Sequence, residues 1–417
     1  MNGALAGVRV IELAHIMSGP TAGMLLADMG ADVIKVEKIP GGDDTRRFIP
    51  PEVNGEASAF MMMNRNKRGI ALDLKQRSAR DALRRMIDGA DVVIENFRVG
   101  TLDRLGLGYD DLRRANPQLI YCAISGYGRT GPEADKGGFD LVAQGLSGLM
   151  RITGESGGPP TKVGSPVTDI NAGILAAFGI VAAYVHRLRT GQGQLVDTSL
   201  LEAGVMQTFW QSAIFLGSGK EIGALGSAHP LTAPYQAFET EDGWITIGGS
   251  NQSNFERLAQ VLQAPELLSD ARFRDNASRM AHLGDLVALI GVHLKRKPSH
   301  EWLAALTASG VPAGPVLTVG EMLSHPQVLA RDMVVETLHP KAGKVRALGC
   351  PIKLSESPAR VSRAAPFFGQ HTREVLGECG LTSVEIDALI DSAAAIQGAP
   401  DADRSSEIAA TCRPPLP

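Results

Sequence analysis

A chain of 417 residues with 44% hydrophobic and 21% charged side chains has room for two or three domains with buried cores, which excludes a disordered or fibrous class. A formal net charge of −4, without a long Lys/Arg block, excludes the electrostatic footprint of a nucleic-acid or membrane-surface binder. The four cysteines, Cys122, Cys350, Cys379 and Cys412, include no C-x-x-C pair, so a disulfide framework has no support and a zinc site of closely spaced cysteines is disfavoured.

The N-terminal stretch MNGALAGVRVIEL lacks the basic and apolar regions of a signal peptide, and a cytoplasmic protein is expected. Val8 to Leu13 reads as a buried strand. Pro20 to Met29 reads as a helix, with Pro20 in its first turn and Gly30 at its end. Asp32 to Glu37 completes a βαβ unit. Ile70 to Leu74 is the next strand, followed by a helix from Ala79 to Asp88 that Ser78 is suited to cap. Asp91 to Glu95 and Leu119 to Ser125 are further strands, separated by a short helix around Asp110 to Arg114. Such alternation predicts a mostly parallel sheet covered on both faces. Gly137 to Gly164 reads as loops around a short helical segment. A long helix follows from about Thr168 to Arg189; its apolar run, Ile170 to Val185, falls short of the ~20 residues of a membrane span. Leu195 to Ser199 is a strand and Leu201 to Leu216 a helix. A Gly-rich connection, Gly217 to Pro234, marks a domain boundary. Beyond it, Glu241-Asp242-Gly243 predicts a hairpin turn, and helices are expected at Asn254 to Leu262, Leu283 to Leu294 and Ser299 to Ser309. The expected organisation is α/β: a large Rossmann-like domain over residues 1–225, a smaller α+β domain over 226–325, a return to the large domain over 326–395, and a loosely packed tail over 396–417.

The first βα turn, Ala14 to Pro20, lacks both the G-x-G-x-x-G fingerprint and the Walker A sequence, which disfavours a nucleotide-dependent dehydrogenase. The helix start still offers backbone N–H groups and a favourable dipole to an anion. Cations cluster near strand ends in this half: Lys38, Arg46, Arg47, Arg65, Lys67, Arg68, Lys75, Arg98 and Arg104. Most charges of this kind are solvated surface, but a polyphosphorylated ligand requires such a set. Asp169 opens the most apolar helix, where Asp is either a cap or a carboxylate nucleophile; Gly164 and Gly173 leave room for a bulky thioester. Asp140 is either a cap or a second acid near the site. His15 and His229 are polar candidates in positions where a structural histidine is equally at home.

The stretches LAGVRVIEL, SGPTAGMLLADMGADVIKVE, GDDTR, NRNKRGIALDLK, ADVVIENFRVGTLDRLGLGYDDL, YCAISGYGRTGP, FDLVAQGLSGLM, TDINAG, RTGQGQLVDTSLLEA, GVPAGPV and APFFGQHTREVL, in this order and spacing, resemble the class III CoA-transferase family, also called CaiB/BaiF-type. The resemblance runs from Leu5 to about Ile390. It implies an interlocked-dimer fold and no permanently bound cofactor or metal, with coenzyme A or acyl-CoA as substrate and a carboxylic acid as its partner substrate. It also implies that Asp169 is the nucleophile. CoA contacts fall on Met17, Ser18, Lys38, Leu72, Asp73, Leu74, Lys75, Asn96, Phe97, Arg98, Arg104, Gly137, Gly138, Phe139 and Asp140. Formyl-CoA-transferase-like members carry Gln and Arg where this chain has Met17 and Lys38, so the pattern is closer to succinyl-CoA:dicarboxylate (glutarate-type) enzymes. Segments placed around the acyl pocket contribute His15, Arg46, Arg47 and His229 as candidates for the acid. Related α-methylacyl-CoA racemases carry His where this chain has Phe139, which cannot move a proton. A non-catalytic CoA-binding protein is the other alternative.

Overall fold

The computed structural model describes residues 3–399; Cys412 and most of the expected tail lie outside them. The described chain divides into two units. The larger comprises the residues up to Ser147, Gly164–Met206 and the residues from Pro326 onward; the smaller comprises Gly148–Val163 and Gln207–His325.

In chain order the larger unit places β1 (Arg9–Glu12), α1 (Ser18–Asp28), β2 (Asp32–Lys38), β3 (Arg68–Leu72), α2 (Arg77–Asp88), β4 (Val92–Glu95), β5 (Ile120–Ser125), α3 (Asp140–Leu146), α4 (Val167–Thr190) and β6 (Leu195–Ser199). After the second unit the chain adds α5 (Thr372–Glu378), α6 (Ser383–Asp391) and β7 (Ala395–Ile396). The sheet order is β7-β3-β2-β1-β4-β5-β6, parallel throughout except for β7, which pairs antiparallel with β3. The strands are apolar on both faces because both are covered. Val10, Val33, Val92 and Ile120 pack with Ala22, Leu26, Ala172 and Ile180 of α1 and α4. Their neighbours Ile11, Ile34, Val93 and Tyr121 pack with Leu83, Met86, Val375 and Leu389 of α2, α5 and α6. The strand order reverses direction between β1 and β4. In an open parallel sheet the crevice outside the carboxyl ends of two such strands is where ligands bind.

By length and composition the 24-residue α4 matches a bilayer-crossing helix. One stripe of it, Ala172, Gly173, Ala176, Ile180 and Ala183, is buried. A Cβ on Gly173 would lie 2.5 Å from the Ser18 carbonyl oxygen and 2.7 Å from Thr21 Cβ. Gly173 therefore serves the close approach of α4 to α1 and does not make room for a ligand, as its sequence context had suggested. Two other expectations shift. Ser78 lies inside α2, whose cap position is Gln76. The expected single helix from Leu201 to Leu216 breaks into Leu200–Met206 and Phe209–Ser218, because the chain leaves the larger unit at Gln207.

The smaller unit has a three-stranded antiparallel sheet in the order Ala313–Pro315, Trp244–Gly248, Tyr235–Glu239. Helices Gln252–Leu262, Leu283–Leu294 and Ser299–Ala308 cover it through Phe238, Ile245, Phe255, Leu258, Ile290 and Trp302. Its limits differ from the expected 226–325. Residues 148–163 and 207–225 also belong to it, tied in by bonds such as Gly226 N–H to the Gly154 carbonyl at 2.8 Å.

Candidate active site

The residues after β1 and β4 build the site where the strand order reverses. His15 donates its N–H to Asn96 Oδ1 at 2.9 Å, and Asn96 Nδ2 returns a bond to the His15 carbonyl at 2.8 Å and one to Ser18 Oγ at 3.4 Å. Asn96, expected to touch CoA, spends its amide on the backbone of the first turn. The His15 ring meets Phe97 edge-on at a centroid distance of 5.3 Å. Burial, then the nearby Lys35 charge, pushes the His15 pKa down to about 4, so it is neutral at pH 7.

His15 and Phe97 are shared by two cavities. The first, about 410 Å³, is lined by Lys38, Arg47, Leu72, Asp73, Leu74, Lys75 and Leu102 among others. Lys38 donates to Asp44 at 2.9 Å, and Arg47 pairs with the same carboxylate. Cations and apolar walls together suit a ligand that joins phosphate to an aromatic ring. The second cavity, about 220 Å³, is lined by Ile16, Met17, Ser18, Asn96, Arg98, Lys136, Gly137, Gly138, Phe139 and Asp169.

Asp169 lies in the first turn of α4 but does not cap it, since the cap position is Pro166. The cap is supplied from α3: Asp140 Oδ1 accepts from Thr168 N at 2.9 Å and from Thr168 Oγ1 at 2.7 Å, while Oδ2 accepts from Gln144 Nε2 at 2.8 Å. Asp140, expected to contact CoA, is thus engaged in holding the start of α4. Among the described residues no group donates a hydrogen bond to the Asp169 carboxylate. Burial, then the Asp140 charge, pushes its pKa up to about 7.

Four candidates line neither cavity. Arg46 is buried and binds Glu37 through two 2.6 Å bonds, with its guanidinium over the Phe60 ring at 3.4 Å and a further bond to the Pro366 carbonyl at 2.9 Å. Its donors are used inside the protein, so it is not a substrate-carboxylate partner. Arg104 is exposed and reaches Thr101 Oγ1 at 3.3 Å without lining either cavity. His229 belongs to the smaller unit, where Trp210 and Tyr235 flank its ring edge-on at 5.4 and 5.3 Å. Asp140, as described, faces α4.

A buried ion cluster beneath the first turn escapes a reading for substrate contacts. Lys35 meets Glu12 at 3.0 Å and Asp43 at 2.8 Å, and Lys67 meets Glu12 at 2.8 Å. All four side chains are fully buried. The signal was present: Glu12 and Lys35 interrupt strands that the parallel-sheet pattern requires to be buried, and buried charges must be paired. Burial works against ionisation of Asp43, but Lys35 and the Thr45 N–H more than offset it and hold its carboxyl well below the usual range. Above this cluster Ile16 adopts φ +68°, a left-handed conformation that costs a β-branched residue about 1–3 kcal/mol.

A family model described as CoA-transferase family III matches residues 5–372. The chain belongs to CoA-transferase family III. A succinate–glutarate CoA-transferase of Agrobacterium fabrum is 41% identical, with 90% of this chain and 95% of that protein covered. A succinyl-CoA:glutarate CoA-transferase of Mus musculus is 38% identical over 90% of this chain and 86% of its own length. The crystal structure of a CaiB/BaiF family protein from Brucella suis superposes with a TM-score of 0.82 at 40% identity, covering 91% of this chain and all of that one (100%). This family III CoA-transferase is therefore an enzyme that transfers CoA, with acyl-CoA as a substrate.

Proposed function

We propose that this CoA-transferase moves CoA from succinyl-CoA to a dicarboxylic acid of about four to six carbons through covalent intermediates on Asp169, without a permanently bound cofactor. The observation that carries the mechanism is the Asp169 carboxylate. It lines a cavity, receives no hydrogen bond among the described residues, and has a basicity raised by burial and by Asp140. An Asp169 oxygen attacks the thioester carbonyl carbon, the C–S bond breaks, and CoA leaves as the thiolate. The product is a mixed anhydride. The thiolate then attacks the Asp169 carbonyl carbon, and the donor leaves as its free carboxylate. The acceptor carboxylate attacks the aspartyl carbonyl carbon of the resulting thioester, the C–S bond breaks, CoA leaves again as the thiolate, and a second anhydride forms. Return of the thiolate to the acceptor carbonyl releases the new acyl-CoA and regenerates Asp169. Each C–S or C–O bond broken is replaced by one of similar transfer potential, so no ATP is consumed.

The cavity with Lys38, Arg47 and Lys75 suits the nucleotide end of CoA, and the cavity with Asp169 suits the thioester. Arg98 and Lys136 are the cations lining the latter; Lys136 pairs with Glu133, which leaves Arg98 as the candidate for a second carboxylate. The succinyl donor and glutarate-like acceptor are drawn from the relatives' names. Phe139, at the cavity wall, offers no proton to a racemase reaction. A second copy of the chain, interlocked with the first, covers the exposed apolar stripe of α4, Ile174, Phe178, Val181, Val185 and Leu188.

Asp169→Ala should abolish transfer while CoA binding and fold persist, and acyl-CoA followed by hydroxylamine should modify Asp169 in the parent. Transfer retained by Asp169→Ala ends the mechanism. Comparing kcat/KM for glutarate, succinate and butyrate at fixed succinyl-CoA tests the acceptor. Equal values for glutarate and butyrate remove the dicarboxylate assignment.

A further inference from the structure

The GDDTR stretch carries residues that neither cavity uses. Asp43 is fully buried, and its two oxygens have distinct tasks. Oδ1 accepts from Thr45 N at 2.9 Å and from Thr45 Oγ1 at 2.8 Å. Oδ2 meets Lys35 Nζ at 2.8 Å. Both oxygens lie 3.2 Å from the backbone nitrogen of Ile16. The Asp43 N–H is itself anchored on Glu37 Oε2 at 3.0 Å. A buried, fixed carboxylate therefore grips the one peptide group at the first turn that stands in the left-handed region. Asn96 holds the other side of the same turn through His15 and Ser18.

We infer that Asp43 is a positioning residue for CoA transfer: it holds Ile16 left-handed, and so sets the direction in which Met17 and Ser18 leave the turn to wall the Asp169 cavity. Without that grip an isoleucine relaxes to negative φ, because its branched side chain disfavours the left-handed region. Relaxation swings the peptide groups of Ile16 and Met17, which line the cavity that holds Asp169 directly after His15, a residue both cavities share. Asn cannot replace Asp43. Four donors from three residues converge on it, the Ile16 N–H, the Thr45 N–H and Oγ1–H and Lys35 Nζ, and its NH₂ would face at least one of them. The Asp169 reading supplies the reacting centre to which this positioning refers.

The test is a double-substitution cycle on the full-length enzyme, with steady-state kinetics of CoA transfer from succinyl-CoA. Asp43→Asn should lower kcat about 10- to 100-fold, as expected for a small misplacement of reacting groups, while KM for succinyl-CoA changes less than about threefold. In the Ile16→Gly background, where positive φ carries little penalty, the same substitution should cost less than about fivefold in kcat. Because Asp43→Asn removes a member of a buried ion cluster, Thr45→Val serves as a milder arm. It keeps the Lys35 pair and loosens Asp43, and its kcat loss should shrink in the Ile16→Gly background in the same way. An unchanged kcat in Asp43→Asn, or an equal loss in both backgrounds, overturns the inference and leaves Asp43 as a partner of Lys35 alone. Asp169→Ala is assayed alongside. Activity there defeats the nucleophile reading, whereas the outcome of the Asp43 cycle is read from kcat in enzymes that retain Asp169.

Discussion

Asp169 is subject to opposing influences: a helix N-terminus favours its anion, and burial with the Asp140 charge disfavours it, with the pKa settling at about 7. Its ionised form is the nucleophile, so kcat/KM for acyl-CoA should climb as pH rises through about 7, and Asp140→Asn should move that midpoint to lower pH. A profile flat through neutrality contradicts this assignment. The same shift acts on stability. The folded state keeps the proton over a range in which the unfolded chain has released it, so stability falls as pH rises from about 4 to about 7. Asp169→Asn should therefore raise Tm relative to the parent at pH 8, and the difference should vanish near pH 4; thermal melts at the two pH values decide. Lys35→Met should destabilise by about 3–5 kcal/mol by leaving Glu12 and Asp43 buried together without their shared cation. A urea midpoint unchanged in that variant contradicts the buried cluster. The helix-start position of Asp169 offered only a choice between cap and nucleophile, and the resemblance to class III CoA-transferases gave it the nucleophile's role. Arg46 was misassigned because its partners, Glu37, Phe60 and the Pro366 carbonyl, depend on how the 39–47 loop folds back.

The six parallel strands of the large sheet were legible to within a residue or two because each is a short, mostly apolar run bounded by polar or glycine positions, as a parallel sheet demands, whereas the two-residue β7 was not expected and its Ile396 falls in what was expected to be a loose tail. The start of α4 was not legible as a cap. Asp140 supplies it from 28 positions upstream, and no local rule connects a helix to an acceptor on another helix. The role of Gly173 was hidden for a similar reason, since its neighbours Ser18 and Thr21 belong to α1. Gly173→Ala tests the α1–α4 packing. A Cβ held 2.5 Å from the Ser18 oxygen must force the helices apart. The expected cost is about 1–3 kcal/mol, typical of overpacking, together with a fall in kcat because Asp169 sits one turn away on α4. Native Tm and kcat in this variant would show that the two helices separate freely.

For the whole molecule, α4 has two faces with different demands. One is spent on the sheet and α1, while Phe178 and Leu188 on the other are 72% and 69% exposed. A contiguous apolar stripe of this kind calls for a cover. Light scattering of the parent should give the mass of a dimer at all accessible concentrations, and Phe178→Glu with Leu188→Glu should deplete it. A folded monomer on dilution of the parent removes the interlocked assembly. The division into units was only partly readable, because residues 148–163 join partners some 70 positions later through contacts such as Gly154 with Gly226. The outermost strand of the large sheet, β7, is also among the last described residues of the chain, held by Thr372 Oγ1 donating to the Ile396 carbonyl at 2.6 Å. During synthesis, β3 emerges more than three hundred residues before its antiparallel partner Ala395–Ile396. Throughout that interval the nascent sheet presents an unpaired edge rich in apolar side chains, the kind of template that recruits other chains. A chain that stopped before Ala395 would keep that edge of β3 unpaired and open to pairing with other chains.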